Sequence, residues 1–427
     1  MTLSSQVNTR EVATRILMEW REHGQYPDRL MRDLARDRAF IMEMVYGVLR
    51  HRSALEWMIE RMSHHQQRED KSNPLIPLLC IGLYQLFFMD HVVSYAAVNE
   101  TVDAAKKLFT DKEASFVNAL LRRALRERER WLEELERKPL SIRYSHPEWL
   151  VERWVSRYGA YDTARLCVWN NERSRVTLRI RPMLSPEAYL AVLKKLNIEA
   201  RIHPVVPTFL VLPTGVAVDQ LPGYKEGWFT VQDPATSNAV AMLDPKKGER
   251  VLDLCAAPGG KTILMADRMS GAEGLTALDN NPDRLRILRE NLDRCGLSQV
   301  HVVQADACAL TPEDFSAQGF DAILLDAPCS NSGVLQRRPD ARWRLTPGSI
   351  QEIGELQTAL LHAAASLLRP GGRLVYSTCS LEDEENETQV RAFLDHHPLF
   401  HLVSQNRTFP PRDGVDGAYA ALIHRDP

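Results

Sequence analysis

Two stretches run from apolar residues into a cysteine followed by a serine: FDAILLDAPCS (320–330) and LVYSTCSLEDEENE (374–387). Paired thiols at strand ends suit one demanding reaction. Methylating an amine or a hydroxyl needs no cysteine, whereas C5 of a pyrimidine is a poor nucleophile. A thiolate that adds at C6 makes C5 enamine-like. C5 then takes a methyl group, a base removes the C5 proton, and the thiolate leaves. A carboxyl group or other donor near N3 would stabilise the intermediate. Cys329 and Cys379 could divide this work, one attacking and the other assisting release, with Asp326 beside them. Other readings compete. Cys329 alone could attack, but the TCS run argues against that. An amino-group methyltransferase commonly carries a PPY-type loop, and DAPCS is not one. A redox pair fits a cytosolic setting poorly. A catalytically silent RNA-binding factor would not need both cysteines beside an intact glycine loop.

That loop is DLCAAPGGKT (253–262), between a strand-like run and a helix-like run. Gly259 and Gly260 allow a tight turn and close approach of a ligand to the backbone. The N–H groups of the following helix would favour negative charge. The run is neither GxGxxG nor a P-loop, so a dinucleotide or triphosphate fits less well. Asp279, Asp306 and Asp326 end successive strand candidates. An isolated loop aspartate is commonly a cap or turn residue; three facing one crevice favour a nucleoside. S-adenosylmethionine fits, with its amino-acid end at the glycine turn, ribose on Asp279 and adenine near Asp306.

These residues need a parallel sheet to assemble them. From about residue 236, strand candidates RVLDLC, GLTALD, VHVVQAD, DAILLDAP and GRLVYSTC mostly alternate with helical stretches. Such alternation predicts a doubly wound α/β sheet with ligands at the C-terminal strand edge. Ser380 and Asp383 match a capping box, so a helix is expected directly after Cys379. Its N-terminus would favour negative charge on the sulfur, Glu382, Asp383 and Glu384 would oppose it, and Lys261 is a cation that could decide the balance.

Residues 1–140 carry apolar residues at helical spacing, as in DRAFIMEMVYGVLRHRSALEWMIERM (37–62). ASFVNALLRRALRERERWLEELERK (114–138) reads as one long helix whose arginines, Arg122 and Arg123 among them, are either a solvated face or a phosphate-contacting surface. Residues 141–235 read as a small α+β module: strand-like RVTLRIRP (175–182) with Arg179 and Arg181, a helix capped by Ser185, and strand-like TFLVLP and GWFTVQD.

The 427-residue length predicts more than one domain, and 44% hydrophobic with 26% charged residues predicts a soluble, cytoplasmic protein. A formal net charge of −3 leaves any nucleic-acid binding to local patches. The start lacks a signal-peptide pattern, and LIPLLCIGLYQLFFM (75–89) is short for a membrane span. Seven scattered cysteines without CxxC argue against a disulfide framework or a metal site.

DLCAAPGGKT, ALDNNPDR, QAD, LLDAPCS and YSTCS, in this order, resemble the RNA cytosine-5 methyltransferases. Residues 1–140, with YGVLRHRSALEWMI and SFVNALLRRALRE, resemble a NusB-type RNA-binding domain. YSHPEWLVERW and GWFTVQDPATS resemble the family's RNA-binding module. The combination resembles the bacterial 16S rRNA branch called RsmB, Sun or Fmu. The resemblance implies an all-α NusB-like domain (1–140), a small α+β RNA-binding module (141–235) and a Rossmann-like class I methyltransferase domain (236–427). It further implies that Cys379 is the nucleophile, that Cys329 assists product release, and that Asp326 borders cofactor and target base. Cys255, Ala256, Ala257, Pro258, Gly259, Gly260 and Lys261 would hold the methionine end of S-adenosylmethionine, with Asp279, Arg284 and Asp306 at the nucleoside. VLQRRPDARWR (334–344) falls where the family has a substrate-facing loop, so Arg337 and Arg338 would meet phosphate and Trp343 would stack or pack. The implied substrate is 16S rRNA or a partly assembled small subunit, at the cytosine conventionally numbered 967. Apart from the resemblance, a monomer without metal or membrane is expected. DGAYAALI (416–423) departs from the family's DGFF, with Ala418 in place of an aromatic, so altered packing near the site is expected.

Overall fold

The computed structural model describes residues 8–32, 34, 36–63, 73–315 and 318–427, and the chain divides into two compact units. The first comprises Met1–Glu172 together with Leu335–Arg344. Its described secondary structure is helical. Helix Leu75–Phe88 is apolar on nearly every side and sits at the centre, which is why its sequence lacks a polar face. Around it lie helices such as Thr9–His23, Ser94–Leu108 and Asp111–Arg126, the last opened by a Thr110–Glu113 capping box.

Two runs with apolar residues at helical spacing are broken, of which only 114–138 reads as one long helix in the sequence. The first is Arg38–Arg50 followed by Arg52–Met62, with His51 between them. The half-buried His51 ring stacks on Phe88 with centroids 4.0 Å apart, and desolvation of the ring pushes it down to about 3, so it stays neutral. The second is Asp111–Arg126 followed by Arg128–Glu136, broken at Glu127; the second piece buries Trp131 and Leu135.

The second unit comprises Arg173–Val334 and Leu345–Pro427 and holds two sheets. Strands β1 (Thr177–Ile180), β2 (Arg201–Ile202), β3 (Phe209–Val211) and β4 (Phe229–Val231) form an antiparallel sheet in the order β2-β3-β1-β4. Helix Pro186–Lys195 lies against it, its N-terminus capped by the Ser185 hydroxyl accepting from the Ala188 N–H at 3.1 Å. Arg179 and Arg181 of this module do not face outward. Both are buried on Asp267 of helix Gly260–Met269, at 2.7 and 2.9 Å.

The larger sheet joins β5 (Val251–Leu254), β6 (Leu275–Asp279), β7 (His301–Gln304), β8 (Phe320–Asp326), β9 (Leu368–Thr378), β10 (Phe400–Thr408) and β11 (Ala418–Arg425) in the order β10-β11-β9-β8-β5-β6-β7. The pairs from β9 to β7 are parallel; β11 and β10 are antiparallel. The chain winds outward from β5 through β6 to β7, then returns to place β8 on the other side of β5. The strand order therefore reverses between β5 and β8, where a doubly wound sheet opens a crevice for ligand. The edge strand β10 had no counterpart in the sequence reading, because its side chains are largely exposed and carry no apolar face.

Candidate active site

The loop after β5 forms one wall of this crevice. Cys255 adopts a left-handed φ of 63°, and the Gly259 N–H closes a turn onto the Ala256 carbonyl at 2.8 Å. Gly259 has φ 103°, and a Cβ there would lie 2.5 Å from Leu288, so only glycine fits. Helix Gly260–Met269 then starts without a side-chain cap, leaving its first N–H groups available.

Asp279 sits across from the turn at the end of β6. Its carboxylate accepts from the Ala257 N–H at 3.2 Å and the Asn281 N–H at 3.0 Å, and it is buried. Arg284 lies 3.7 Å from Asp279 and donates to the Ala257 carbonyl. Asp306 lies on the same sheet edge but is exposed and caps a short turn, accepting from the Cys308 N–H at 3.0 Å.

The opposite wall comes from β8 and β9. Their parallel register sets Asp326 beside Ser377, so the loops that follow leave the sheet together. Cys329 Sγ and Cys379 Sγ stand 3.1 Å apart, and both are free thiols. Asn331, held at φ 60°, accepts from Cys379 Sγ at 3.3 Å through Oδ1 and donates through Nδ2 to the Cys329 carbonyl at 2.8 Å. The hydrogen bond with Cys379 holds the Cys329 thiol well above its ordinary range, reinforced by burial and by the charges of Cys379 and Glu385.

Lys261 bridges the two walls, its ammonium 2.6 Å from Asp326, whose other oxygen accepts from the Ser377 hydroxyl at 3.0 Å. Burial acts to lower Lys261, but Asp326, Cys379 and Asp253 outweigh it and hold the ammonium above its ordinary value. Asp253, within β5, was missed by sequence reasoning. It is fully buried, and burial pushes its carboxyl up to about 7 against a 2.5 Å hydrogen bond from Thr262.

The helix expected directly after Cys379 begins later, at Glu387, after a short turn over Asp383–Glu385. Ser380 does not form the capping box with Asp383. Its hydroxyl is drawn instead into a buried cluster with Ser330, Ser332 and Glu385. Ala418 starts β11 opposite Thr408 and precedes Tyr419, which pairs with Thr378 next to Cys379, so it lies on the strand end beside the site; the neighbouring Gly417 donates to the Gly333 carbonyl at 2.8 Å.

The predicted RNA contacts lie in the helical unit and separate into two groups. Arg122 is exposed, but Arg123 is half-buried, ion-paired to Glu127 at 3.2 Å and bonded to the Met62 carbonyl at 2.9 Å. Its guanidinium is thus engaged within the helical unit. Leu335–Arg344 clusters with this unit too. Arg338 is exposed and Arg337 half-buried. Trp343 packs rather than stacks: its indole N–H donates to the Leu49 carbonyl at 2.8 Å and Arg52 lies 5.1 Å from its ring. Arg342, fully buried on the carbonyls of Ser145 and Asn170 and on Asn171, carried no signal in the sequence.

A doubly wound sheet with a glycine turn, strand-end carboxylates and a switch-point crevice defines a Rossmann-like methyltransferase fold. The family described as 16S rRNA methyltransferase RsmB/F matches residues 240–423, the NusB family matches 7–126, and the ferredoxin-like domain of RsmF/B-type methyltransferases matches 146–219. Ribosomal RNA small subunit methyltransferase B of Klebsiella pneumoniae is 35% identical over 99% of this chain and 100% of its own length. Its counterpart from Erwinia tasmaniensis is 37% identical over 91% and 90%. Among solved structures, PH0851 aligns at a TM-score of 0.79 with 27% identity, covering 99% of this chain and 100% of that one. A methyltransferase homologue from Pyrococcus horikoshii aligns at 0.59 and 27%, covering 67% and 97%. The chain belongs to the RsmB/F family of 16S rRNA methyltransferases, which use S-adenosylmethionine. The donor set fits that molecule. Uncapped N–H groups at Gly260 suit a carboxylate, the half-exposed Asp326 suits an ammonium, and the Asp279 carboxylate retains lone pairs for hydroxyls. Among the described residues no helix is long and apolar enough to cross a membrane, and no metal-binding cluster is found.

Proposed function

We propose that the protein methylates C5 of a cytosine in 16S rRNA, by resemblance the one conventionally numbered 967, through a covalent bond between Cys379 and C6. The observation that carries this reading is the approach of two thiols to 3.1 Å beside the Lys261–Asp326 pair at the switch-point crevice. S-adenosylmethionine would supply an electrophilic methyl group there, held by the Cys255–Lys261 turn, Asp279 and Arg284, with Asp306 toward adenine and Asp326 bordering both ligands. Lys261 presents its ammonium toward Cys379. The thiolate adds to C6, moving the double-bond electrons toward C5, while the Lys261–Asp326 pair faces the N3 side and stabilises the charge. C5 would form its bond to the methyl group as the methyl–sulfonium bond breaks, with S-adenosylhomocysteine as the leaving group. Water then takes the C5 proton, the electron pair restores the C5–C6 double bond, and Cys379 leaves as thiolate. Cys329, held as a thiol, donates a hydrogen bond to the departing sulfur and so assists release.

RNA binding is assigned to Arg122 and Arg338, the exposed members of the four arginines considered, with naked rRNA or a partly assembled small subunit as substrate. The test is methyl transfer from labelled S-adenosylmethionine to unmodified 16S rRNA, with mapping of the modified base and denaturing gels for adducts. Cys379→Ala is expected to abolish transfer while retaining cofactor binding, and Cys329→Ala to accumulate an RNA–protein adduct. Normal turnover by Cys379→Ala would refute the nucleophile assignment.

A further inference from the structure

Strand register brings β8 and β9 side by side, but two loops that leave a sheet together can still diverge. Resting on the reading that Cys379 attacks and Cys329 assists release, we infer that Glu385 is a positioning residue whose buried carboxylate fastens the Cys329 loop to the Cys379 loop. Glu385 is fully buried. Its Oε2 accepts from the Ser330 N–H at 2.7 Å and from Gln357 Nε2 at 3.3 Å, and its Oε1 accepts from the Ser380 hydroxyl at 2.7 Å. One carboxylate therefore grips the residue after each cysteine. Gln357 extends the clamp to the residue before Cys329, donating to the Pro328 carbonyl at 2.9 Å. Hydroxyl contacts close the remaining gap: Ser380 Oγ lies 3.1 Å from Ser330 Oγ and 3.2 Å from Ser332 Oγ. The Leu381 N–H donates to Ser332 Oγ at 2.9 Å, and the Gly333 N–H donates to the Cys379 carbonyl at 3.0 Å.

The three donors to Glu385 are neutral. An ion buried on neutral donors is costly, and packing alone would favour an apolar side chain of similar volume. What a carboxylate supplies is two acceptor oxygens with no donor of its own, so it can take N–H and O–H groups from both loops at once. Its charge also lies on the thiol pair, adding to the hydrogen bond with Cys379 and to burial in keeping the proton on Cys329. Without the clamp the two sulfurs would no longer share a hydrogen bond, and release of the product would lose its donor.

The distance between the thiols can be read without catalysis. Phenylarsine oxide condenses with two neighbouring thiols, forming two As–S bonds and releasing water, and peptide mapping by mass spectrometry identifies the bridged residues. Wild type is expected to carry one arsenical across Cys329 and Cys379. Glu385→Ala is expected to bridge at least about tenfold more slowly, and Glu385→Gln, which keeps one of the two acceptor oxygens, to fall between Glu385→Ala and wild type. Ser380→Ala removes half the clamp without the buried charge, is expected to be intermediate, and serves if Glu385→Ala does not fold. In methyl transfer, Glu385→Ala should lower kcat by about tenfold or more with KM for RNA and cofactor within about twofold. Wild-type bridging in Ser380→Ala and in any folded Glu385→Ala overturns the clamp, as does equal loss in Glu385→Gln and Glu385→Ala. Cys379→Ala is assayed alongside: if it turns over normally, the nucleophile reading fails, and the arsenical result still judges the clamp.

Discussion

Asp267 separates two readings of the arginines in the small α+β module, RNA contact and internal fastening. Its carboxylate takes Arg179 Nη1 at 2.7 Å and Arg181 Nη2 at 2.9 Å, with all three side chains no more than 6% exposed. Arg181 is further tied to the carbonyls of Gly227 and Cys295 at 3.1 and 2.8 Å. Asp267→Asn keeps the shape and removes the charge, leaving two buried guanidinium groups without a carboxylate. Breaking a buried ion pair by removing one partner costs about 3–5 kcal/mol. At about 2–4 °C per kcal/mol for a unit of this order of size, the Tm is expected to fall by roughly 6–20 °C. Replacing the whole cluster with apolar residues (Arg179→Met, Arg181→Met, Asp267→Leu) should recover much of that loss, because the desolvation of three charges disappears with them. The assay is thermal unfolding, paired with RNA affinity over a salt series below both transitions. The salt slope should not change, since neither arginine reaches solvent. A Tm change below about 2 °C, or a shallower slope with the Tm intact, would refute the structural reading and return these arginines to the RNA.

Asp253 predicts a pH dependence. Its carboxyl is raised from about 4 in the unfolded chain to about 7 in the fold. Its stabilising contribution is therefore complete below about pH 4, declines as pH rises and is lost above about pH 7. Asp253→Asn should gain stability relative to wild type between about pH 5 and about pH 8, and a Tm difference that is independent of pH would refute the assignment. In the helical unit, Arg338→Ala should reduce the log–log salt slope of RNA binding by about 1 without changing the Tm. Trp343→Ala should do the reverse, destabilising by up to about 3 kcal/mol at constant slope, since its indole is bonded to Leu49 and not presented for stacking. Salt titrations and unfolding curves on the same samples check both.

What could be read from the sequence follows a physical pattern. The parallel strands were legible because a strand covered on both faces is a continuous apolar run: Val251–Leu254 and Leu275–Asp279 are buried throughout. The helix around Pro186 was legible because Ser185 and Pro186 are local signals. The break at His51 was not, since the apolar spacing continues through it and only the stack on Phe88 distinguishes the position. Arg122 and Arg123 are chemically alike, but neighbouring residues on a helix point about 100° apart, so one meets solvent and the other Glu127. In LEDEENE the acids look interchangeable. Glu384 is exposed while Glu385 is fully buried, a difference set by contacts with Ser330 and Gln357 far away in the chain.

The serine that follows each cysteine has its explanation in that same distance. Nothing local to DAPCS or TCSLE demands a serine, and either alone would read as a turn residue. The demand arises once β8 and β9 pair with Asp326 beside Ser377, because residues three and two positions further on are then the two sulfurs. The next residue in each loop turns inward beneath them, where an apolar side chain after Cys379 would leave Glu385 Oε1 without its donor and a larger side chain in either loop would push the loops apart. A hydroxyl on the Cys379 side and a backbone N–H with a small side chain on the Cys329 side satisfy both constraints. On this argument Ser330 should tolerate alanine better than Ser380, since its contribution to Glu385 is made by the backbone. Thiol bridging by an arsenical in Ser330→Ala and Ser380→Ala tests the asymmetry, and equal loss in both would refute it.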